Sequence, residues 1–253
     1  MRSIVFCKRT IKELVRDPLS YIFCLGFPLV MLLIMTIVNN SIPEQAHMDL
    51  FQIENLAPGI AVFGLTFVML FACLQISKDR TTAFLTRLYA SPMKPMDFIA
   101  GYTIPLVVIA AAQSIITFAA SFVVSLFTRY TFQIGNILVC ILVLFPSMFL
   151  FIAFGLLFGS LLNDKAAPGI CSILISAACI LGGIWMDVDA IGGMLGKVCR
   201  ALPFYHGVKA ARLALQGEYA DLTEPLFIIL IYAVLIYVLS VFALKHKMSS
   251  DVK

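Results

Sequence analysis

The sequence predicts an all-α integral membrane protein of about six transmembrane helices, and two observations support this fold class. Apolar residues make up 61% of the 253 residues and charged residues 13%, whereas soluble domains contain about 45–50% and about 25%. The apolar residues also form uninterrupted runs of about 20 residues, the length that an α-helix needs to cross the hydrocarbon of a bilayer. The composition therefore favours a membrane protein over a soluble one.

Six apolar runs are long enough to cross the bilayer as helices. They lie at 20–38, 57–76, 99–127, 137–162, 167–186 and 225–244. Because the runs are continuous, whereas barrel strands alternate between apolar and polar residues, helices are favoured over a barrel. Pro28, Pro105 and Pro146 fall inside the runs, where membrane helices tolerate proline, and they predict kinks rather than breaks.

The positions of Lys and Arg beside the spans predict the orientation. With a cytoplasmic N-terminus, thirteen of the eighteen Lys and Arg residues fall on the cytoplasmic side, in agreement with the positive-inside rule. Four of the other five belong to one segment, 187–224. The sequence therefore predicts that both termini and the loop 77–98 are cytoplasmic.

Residues 1–18 predict an amphipathic helix that lies in the inner interface of the membrane. Its apolar face holds Ile4, Cys7, Ile11, Leu14 and Val15, and its polar face holds Lys8, Arg9, Lys12, Glu13 and Arg16. Basic amphipathic helices of this kind lie at the level of the lipid headgroups, and Pro18 would end the helix. A cytoplasmic extension of the first span is the alternative.

The loop between the second and third spans predicts another short helix, at 78–92. Asp79 can cap this helix and Ser91-Pro92 can end it. Its apolar face consists of Phe84, Leu85, Leu88 and Tyr89. An apolar face on a cytoplasmic loop needs a partner, which is either the underside of the bundle or another protein.

Residues 187–224 contain too many glycines and prolines for a span, yet they are too apolar for an ordinary loop. We expect two short helices, at 190–201 and 205–216, joined at Leu202-Pro203. Because such pieces enter one leaflet when protein surrounds their backbone ends, the segment predicts a re-entrant helical hairpin before the last span. We expect this hairpin to shape the outer gate of the transport path. The residues assigned to the gate are Leu202, Pro203, His206, Lys209 and Arg212. A structured extracellular cap is the alternative.

The sequence gives no pattern for catalysis, metal binding or nucleic-acid binding. The segment 192–197 has the wrong glycine spacing for a phosphate loop, and Val198 stands where such a loop needs Ser or Thr. His47, His206 and His246 are scattered, and no CxxC pair occurs, so no metal site is expected. The net charge of +4 is too dispersed for a nucleic-acid surface.

No span carries Asp, Glu, Lys or Arg near its centre, which argues against an ion-coupled carrier. Convergent catalytic groups at membrane depth, which a membrane-embedded hydrolase needs, are also missing. The candidates for a substrate path are Thr66, Gln75, Gln113, Thr117, Ser172 and Ser176, although such groups more often hold helices together. A path of this kind suits an amphipathic or lipid-like substrate better than a small ion.

Taken together, these features resemble the permeases of the type-2 (ABC-2) class of ABC transporters, which includes drug, antibiotic and polysaccharide exporters. The likeness covers nearly the whole chain. A basic N-terminal helix is followed by Pro58-Gly59 at the start of the second span, by the run DRTTAFLTRLYASP at 79–92, and by Leu202-Pro203 before an amphipathic helix. Thr82 or Ala83 replaces the usual glycine of the cytoplasmic run.

The resemblance implies that 78–92 is a coupling helix, seated in a groove of a separate nucleotide-binding subunit. The residues assigned to this contact are Arg80, Phe84, Leu85, Arg87, Leu88, Tyr89, Ser91 and Pro92, with Asn163 and Lys165 in a second, smaller contact. It also implies two ATPase subunits that bind ATP and Mg²⁺, a second permease that is identical or paralogous, and a bacterial cell membrane. The chain itself is then not an enzyme and holds no cofactor.

The function that the resemblance implies is ATP-driven export of a drug, an antibiotic peptide or a lipid-like molecule. Export of a polysaccharide or glycolipid is an alternative, although Trp185 is the single tryptophan and such a channel would be wide and lined with aromatic residues. A membrane scaffold or sensor without transport is the alternative from another class.

Overall fold

The computed structural model describes residues 2–42, 49–81, 95–128 and 130–251, and no strand occurs in these ranges. The α-helices are α1 (Arg2–Arg16), α2 (Pro18–Tyr21), α3 (Phe27–Ser41), α4 (Ile53–Thr81), α5 (Pro95–Ser125), α6 (Ile134–Leu161), α7 (Ala167–Leu181), α8 (Val188–Ile191), α9 (Gly193–Ala201), α10 (Pro203–Gln216) and α11 (Thr223–Asp251). Short 3₁₀ helices, Asp49–Phe51 and Tyr219–Leu222, precede α4 and α11. The all-helical membrane fold is confirmed.

Five helical segments among the described residues are long and apolar enough to cross a membrane. They are Ile22–Ser41, Ile53–Arg80, Asp97–Ser125, Ile134–Leu161 and Tyr219–His246. The remaining apolar run, 167–186, forms the 15-residue helix α7 and then a turn. At 1.5 Å per residue α7 extends about 22 Å, less than the roughly 30 Å of hydrocarbon in a bilayer.

The prolines inside the spans do not break the helices. Pro58, Pro105 and Pro146 lie within α4, α5 and α6. Near Pro28, the π-helical turn Ile22–Gly26 joins α2 to α3, and the amide of Phe27 donates to the carbonyl five residues back. Because Pro28 has no N–H to continue the regular ladder, the wider turn lies where the ladder is interrupted.

The helix α4 forms the centre of the bundle. It contacts α3, α5, α6, α7 and α10, and most of its span is buried inside the chain. Glycines in α6 allow the closest of these contacts. A Cβ atom on Gly155 would lie 2.5 Å from the Cβ of Ala72 and 2.6 Å from the carbonyl oxygen of Met69, and Gly159 is similarly close to α4. Small residues four apart therefore bring the two backbones together, as in many membrane helix pairs.

The helix α1 packs against α5, and only part of its predicted apolar face, Cys7 and Leu14, is buried there. Its buried side chains include Phe6, Thr10 and Leu14, whereas Ile11 and Val15 are exposed. Arg9 and Glu13, which the sequence assigns to the polar face, form hydrogen bonds with side chains of α4. These two side chains turn toward the bundle because polar partners on α4 are there.

The C-terminal end of α4 also differs from the prediction. Residues 78–81 belong to α4, which continues to Thr81, so Asp79 does not cap a separate short helix. Its carboxylate bonds to side chains of α1 and α5 instead. The rest of the predicted coupling helix, 82–92, lies outside the described residues.

Before α11 begins, the segment 187–224 contains three α-helices and a 3₁₀ helix rather than the two helices that were predicted. Gly192, with a φ of 59°, separates α8 from α9, and Leu202 separates α9 from α10. A positive φ is accessible to glycine at little cost, which explains the extra break. The helix α10 packs against α4, α6, α7 and α11 and is therefore part of the bundle.

Candidate functional site

The last turns of α4 carry a carboxylate that is almost completely buried. The side chain of Asp79 is 5% exposed, and it accepts hydrogen bonds from the guanidinium of Arg9 at 3.0 and 2.9 Å. The hydroxyl of Tyr102, on α5, donates to the same carboxylate at 2.7 Å. A negative charge near the C-terminus of a helix is unfavourable on its own, so these donors are what makes the position of Asp79 stable.

The guanidinium of Arg9 connects α1 to this carboxylate. Arg9 also pairs with Glu13, one turn further along α1, at 2.8 Å, and the amide of Gln75 donates to Glu13 at 2.8 Å. Partial burial lowers the pKa of Arg9, but the hydrogen bonds and charges of Asp79 and Glu13 outweigh the burial and raise the pKa above its usual value. Arg9 therefore stays charged, and α1 is held to α4 by charge-assisted bonds.

Arg80 points to another side of the bundle. Its guanidinium donates to the carbonyl oxygens of Gly159 at 3.3 Å and of Leu162 at 3.1 Å. These carbonyls lie at the C-terminal end of α6, where a cation is favourable because of the helix dipole. The turn that follows contains Asn163 and Lys165, both exposed, so Arg80 ties the end of α4 to the base of that turn.

We call this cluster the α4 junction. It consists of Arg9, Glu13, Gln75, Asp79, Arg80 and Tyr102. The junction joins α1, α5 and α6 to the end of α4, directly before the segment 82–94.

Only part of the predicted coupling site lies in the described residues. Arg80, Asn163 and Lys165 are placed close together at one end of the bundle. The other assigned residues, Phe84, Leu85, Arg87, Leu88, Tyr89, Ser91 and Pro92, lie outside the described residues, and their role stays a prediction.

Sequence reasoning missed Arg9, Asp79 and Tyr102 as site residues. A weak signal for the first two was present, because Arg9 and Glu13 lie four residues apart on α1, and Gln75 and Asp79 lie four residues apart on α4. Each of these pairs therefore lies on one face of its own helix.

The six candidates for a substrate path do not form one surface. Thr66, Gln113 and Thr117 are buried, with at most 1% exposure, and the amide of Gln113 donates to the hydroxyl of Thr117 at 3.1 Å. Gln75 belongs to the α4 junction. Ser172 and Ser176 are exposed on α7. Their assignment to the substrate path stays a prediction.

The residues assigned to the gate lie at the start of α10 and along it, at the opposite end of the bundle. Leu202 precedes α10, and Pro203 opens it as its first residue. His206 is buried, and its Nε2 lies 2.8 Å from the carbonyl oxygen of Arg200. The apolar side chains that share one face of α10 are buried: Phe204, Val208, Ala211 and Leu215.

Lys209 and Arg212 lie on the polar side of α10. The guanidinium of Arg212 donates to the carbonyl oxygens of Gly183 at 2.9 Å and of Asn55 at 3.3 Å. The amide of Gln216 donates to the side chain of Asn55 at 3.0 Å. Arg212 and Gln216 therefore hold α10 against the beginning of α4 and the turn after α7.

These features define the class of protein. The chain is a multi-pass helical membrane protein, and the described residues contain no group of His, Cys, Asp and Glu that could hold a metal ion. In the described ranges it is a helical bundle in which the amphipathic helix α1 packs against α5.

Comparison with known protein families identifies the family of this membrane protein. Residues 3–215 match the family model described as ABC-2 type transporter, and the chain belongs to this family. Permeases of this family generally are not catalytic, and they typically work with an ATP-binding subunit. No curated protein matches the chain.

Proposed function

We propose that this chain is the membrane subunit of an ATP-driven exporter that moves a hydrophobic or amphipathic molecule, such as a drug, an antibiotic peptide or a lipid-like compound, out of the cytoplasm. The observation that carries the proposal is the α4 junction. It ties three helices to the end of α4 at the point where the segment expected to contact an ATPase begins.

In this proposal ATP and Mg²⁺ bind to two partner subunits, and two permeases, identical or paralogous, enclose the path. Residues 82–92 sit in a groove of one ATPase, and Asn163 and Lys165 form the smaller contact. When the ATPases close, the coupling segment moves and the α4 junction passes the movement to α1, α5 and α6. Rigid-body shifts of this kind are a common form of conformational switching. Family membership and the position of the junction support this sequence of events.

The proposed topology has six spans with both termini in the cytoplasm of a bacterial cell. The helix α7, extended by the turn that follows it, is the fifth span. The helix α1 lies in the inner interface, which is supported by the mixture of exposed apolar and basic side chains on its surface: Lys8, Ile11, Lys12, Val15 and Arg16. The helices α8 to α10 form the re-entrant segment, and α10 lines the outer gate.

The class of substrate is proposed from the chemistry of the spans. Between Glu54 and Lys78 the central helix α4 contains no charged residue, so a small ion finds no partner along it. A groove of about 600 Å³ between α5, α6 and α11 is lined almost entirely by apolar side chains, among them Phe145, Phe149 and Val238. Such surfaces favour apolar and amphipathic molecules.

Transport in reconstituted vesicles tests this proposal. The purified permease is incorporated with its ATPase, facing outward, and the uptake of an amphipathic fluorescent dye into the vesicles is followed after ATP and Mg²⁺ are added. We expect uptake that needs ATP and that an ATPase without hydrolytic activity does not support. An assembled complex that hydrolyses ATP but moves neither dyes nor labelled lipids would favour the scaffold or sensor.

A further inference from the structure

A polar pocket lies at the end of the bundle opposite the α4 junction. Its volume is about 200 Å³, which is smaller than the roughly 300–1,000 Å³ of pockets for drug-sized ligands. The polar side chains that line it are Asn55, Asp189, Tyr205, Lys209, Arg212 and Gln216. A pocket of this size fits one polar group rather than a whole substrate.

The charges that line the pocket are unbalanced. Lys209 and Arg212 lie three residues apart on one face of α10, and neither forms an ion pair within the described ranges. Arg212 donates only to backbone carbonyls, which fix the orientation of the guanidinium without neutralising its charge. Burial lowers the pKa of Arg212 to about 10, while Asp187 and Asp189 oppose this effect, so the side chain is cationic at neutral pH.

The one carboxylate in the lining already has partners. Asp189 accepts from the guanidinium of Arg200 at 2.9 Å and from the hydroxyl of Tyr205 at 2.9 and 3.0 Å. Burial, followed by the charge and hydrogen bond of Asp189, raises the pKa of Tyr205 to about 12, so its hydroxyl remains a donor. Asp189 is thus neutralised by Arg200, and the pocket retains the positive charges of Lys209 and Arg212.

We propose that this pocket binds a phosphate group, and that the phosphate is supplied by the headgroup of an anionic lipid or by a free phosphate. The two cations provide charged donors that phosphate oxygens need. The amides of Asn55 and Gln216 already donate to the carbonyl oxygen of Asp49 at 2.9 Å and to Oδ1 of Asn55 at 3.0 Å, so each adds at most its second N–H. The neighbouring segment favours the lipid source, because exposed apolar side chains lie on α8 and α9 next to the pocket: Ile191, Met194, Leu195 and Val198. Acyl chains can lie against that surface while the headgroup fills the pocket.

This site goes beyond the proposed function and is tested without an ATPase. The purified full-length chain in detergent micelles is titrated with phosphatidylglycerol, with phosphatidylcholine, with inorganic phosphate and with glycerol 1-phosphate. The readout is the fluorescence of Trp185, the single tryptophan, which follows the pocket residue Gly182 by three positions.

The decisive variant is Lys209→Gln, because Lys209 is half-buried and makes no hydrogen bond that the fold would lose among the described residues. Lys197→Gln is the matched control, since Lys197 is an exposed cation on α9 outside the pocket lining. Thermal unfolding of each variant verifies that it is folded. We expect phosphatidylglycerol to bind about tenfold more tightly than phosphatidylcholine, and Lys209→Gln to remove most of this difference.

The arms of the titration separate the sources of the phosphate. Binding of phosphatidylglycerol but not of glycerol 1-phosphate identifies the lipid, whereas binding of the soluble phosphates with the same dependence on Lys209 identifies a free anion. Equal binding of the two lipids with no response to soluble phosphate overturns the proposal. So does a Lys209→Gln variant that binds like the Lys197→Gln control.

Discussion

Substitution of Arg9 by alanine removes the cation that balances the most buried carboxylate of the α4 junction. The side chain of Asp79 is 5% exposed and that of Arg9 is 28% exposed. Loss of the partner therefore costs the buried carboxylate more than it costs the guanidinium. Without Arg9, the carboxylate loses two charge-assisted hydrogen bonds, and it keeps among its donors the hydroxyl of Tyr102 at 2.7 Å and the amide of Gln75 at 3.4 Å. Without the carboxylate, Arg9 can still turn to Glu13 and to solvent.

The two substitutions therefore differ in cost. Removing one partner of a buried pair costs about 3–5 kcal/mol, and because Tyr102 and Gln75 remain, we expect Arg9→Ala to cost about 3 kcal/mol. Asp79→Asn removes the charge but keeps an acceptor for Tyr102, so we expect it to cost about 1–2 kcal/mol. In the double variant no buried charge is left unpaired. Its cost should be about 1–3 kcal/mol less than the sum of the single costs.

The free energy of unfolding in mixed micelles measures these differences. The control is Lys8→Ala, which removes an exposed cation of the same helix and should change stability by less than about 0.5 kcal/mol. If Arg9→Ala is as stable as this control, or if the effects of Arg9→Ala and Asp79→Asn simply add, the ion pair does not hold α1 to α4 and the reasoning is refuted.

Three other predictions concern packing and topology. Gly155→Ala should destabilise the protein by about 1–3 kcal/mol, because its Cβ would lie 2.5 Å from the Cβ of Ala72 on α4. The control is Gly135→Ala in the same helix, whose Cβ would have nothing within 4 Å and which should be neutral or slightly stabilising. Equal free energies of unfolding for the two variants would contradict this packing. On a cysteine-free background in intact cells, an impermeant thiol reagent should label Asp221→Cys quickly and Lys165→Cys slowly, and rapid labelling at position 165 would reverse the topology. Val208→Cys, which is buried in α10, should react far more slowly than Asp221→Cys, and equal rates would favour a free extracellular cap over a re-entrant segment.

The apolar runs were sufficient to predict the helical membrane fold. Long runs without charge leave a spanning helix as the stable form, and for this reason α4, α5, α6 and α11 could be expected before their contacts were known. The amphipathic pattern likewise predicted a helix at 205–216, which is found as Pro203–Gln216. Local patterns of this kind depend only on neighbouring residues, which are visible in the sequence.

The contacts between distant segments could not be predicted in the same way. Arg9 and Asp79 are 70 residues apart, and hydrophobicity alone assigns both side chains to water. The polar pocket at the opposite end of the bundle likewise combines Asn55, Asp189 and Arg212 from three separate segments. Which polar side chains meet depends on how the helices rotate against one another, and the pattern of a single helix does not contain that information.

Binding of the ATPase to the coupling segment tests the central claim most directly. In the sequence, Phe84, Leu85, Leu88 and Tyr89 share one helical face, and each large side chain contributes roughly 1.5–3 kcal/mol when it is fully buried. Leu85→Ala combined with Leu88→Ala should therefore weaken the complex by a factor of about 100 or more. Arg87→Ala removes only a rim contact worth about 0–1 kcal/mol and is the matched control.

The measurement is the amount of ATPase that co-purifies with each permease variant, compared at equal membrane insertion, together with substrate-stimulated ATP hydrolysis. The account predicts that the double variant inserts normally but loses its ATPase, and that Arg87→Ala retains it. A normally inserted double variant that binds and stimulates the ATPase at the wild-type level would contradict the account.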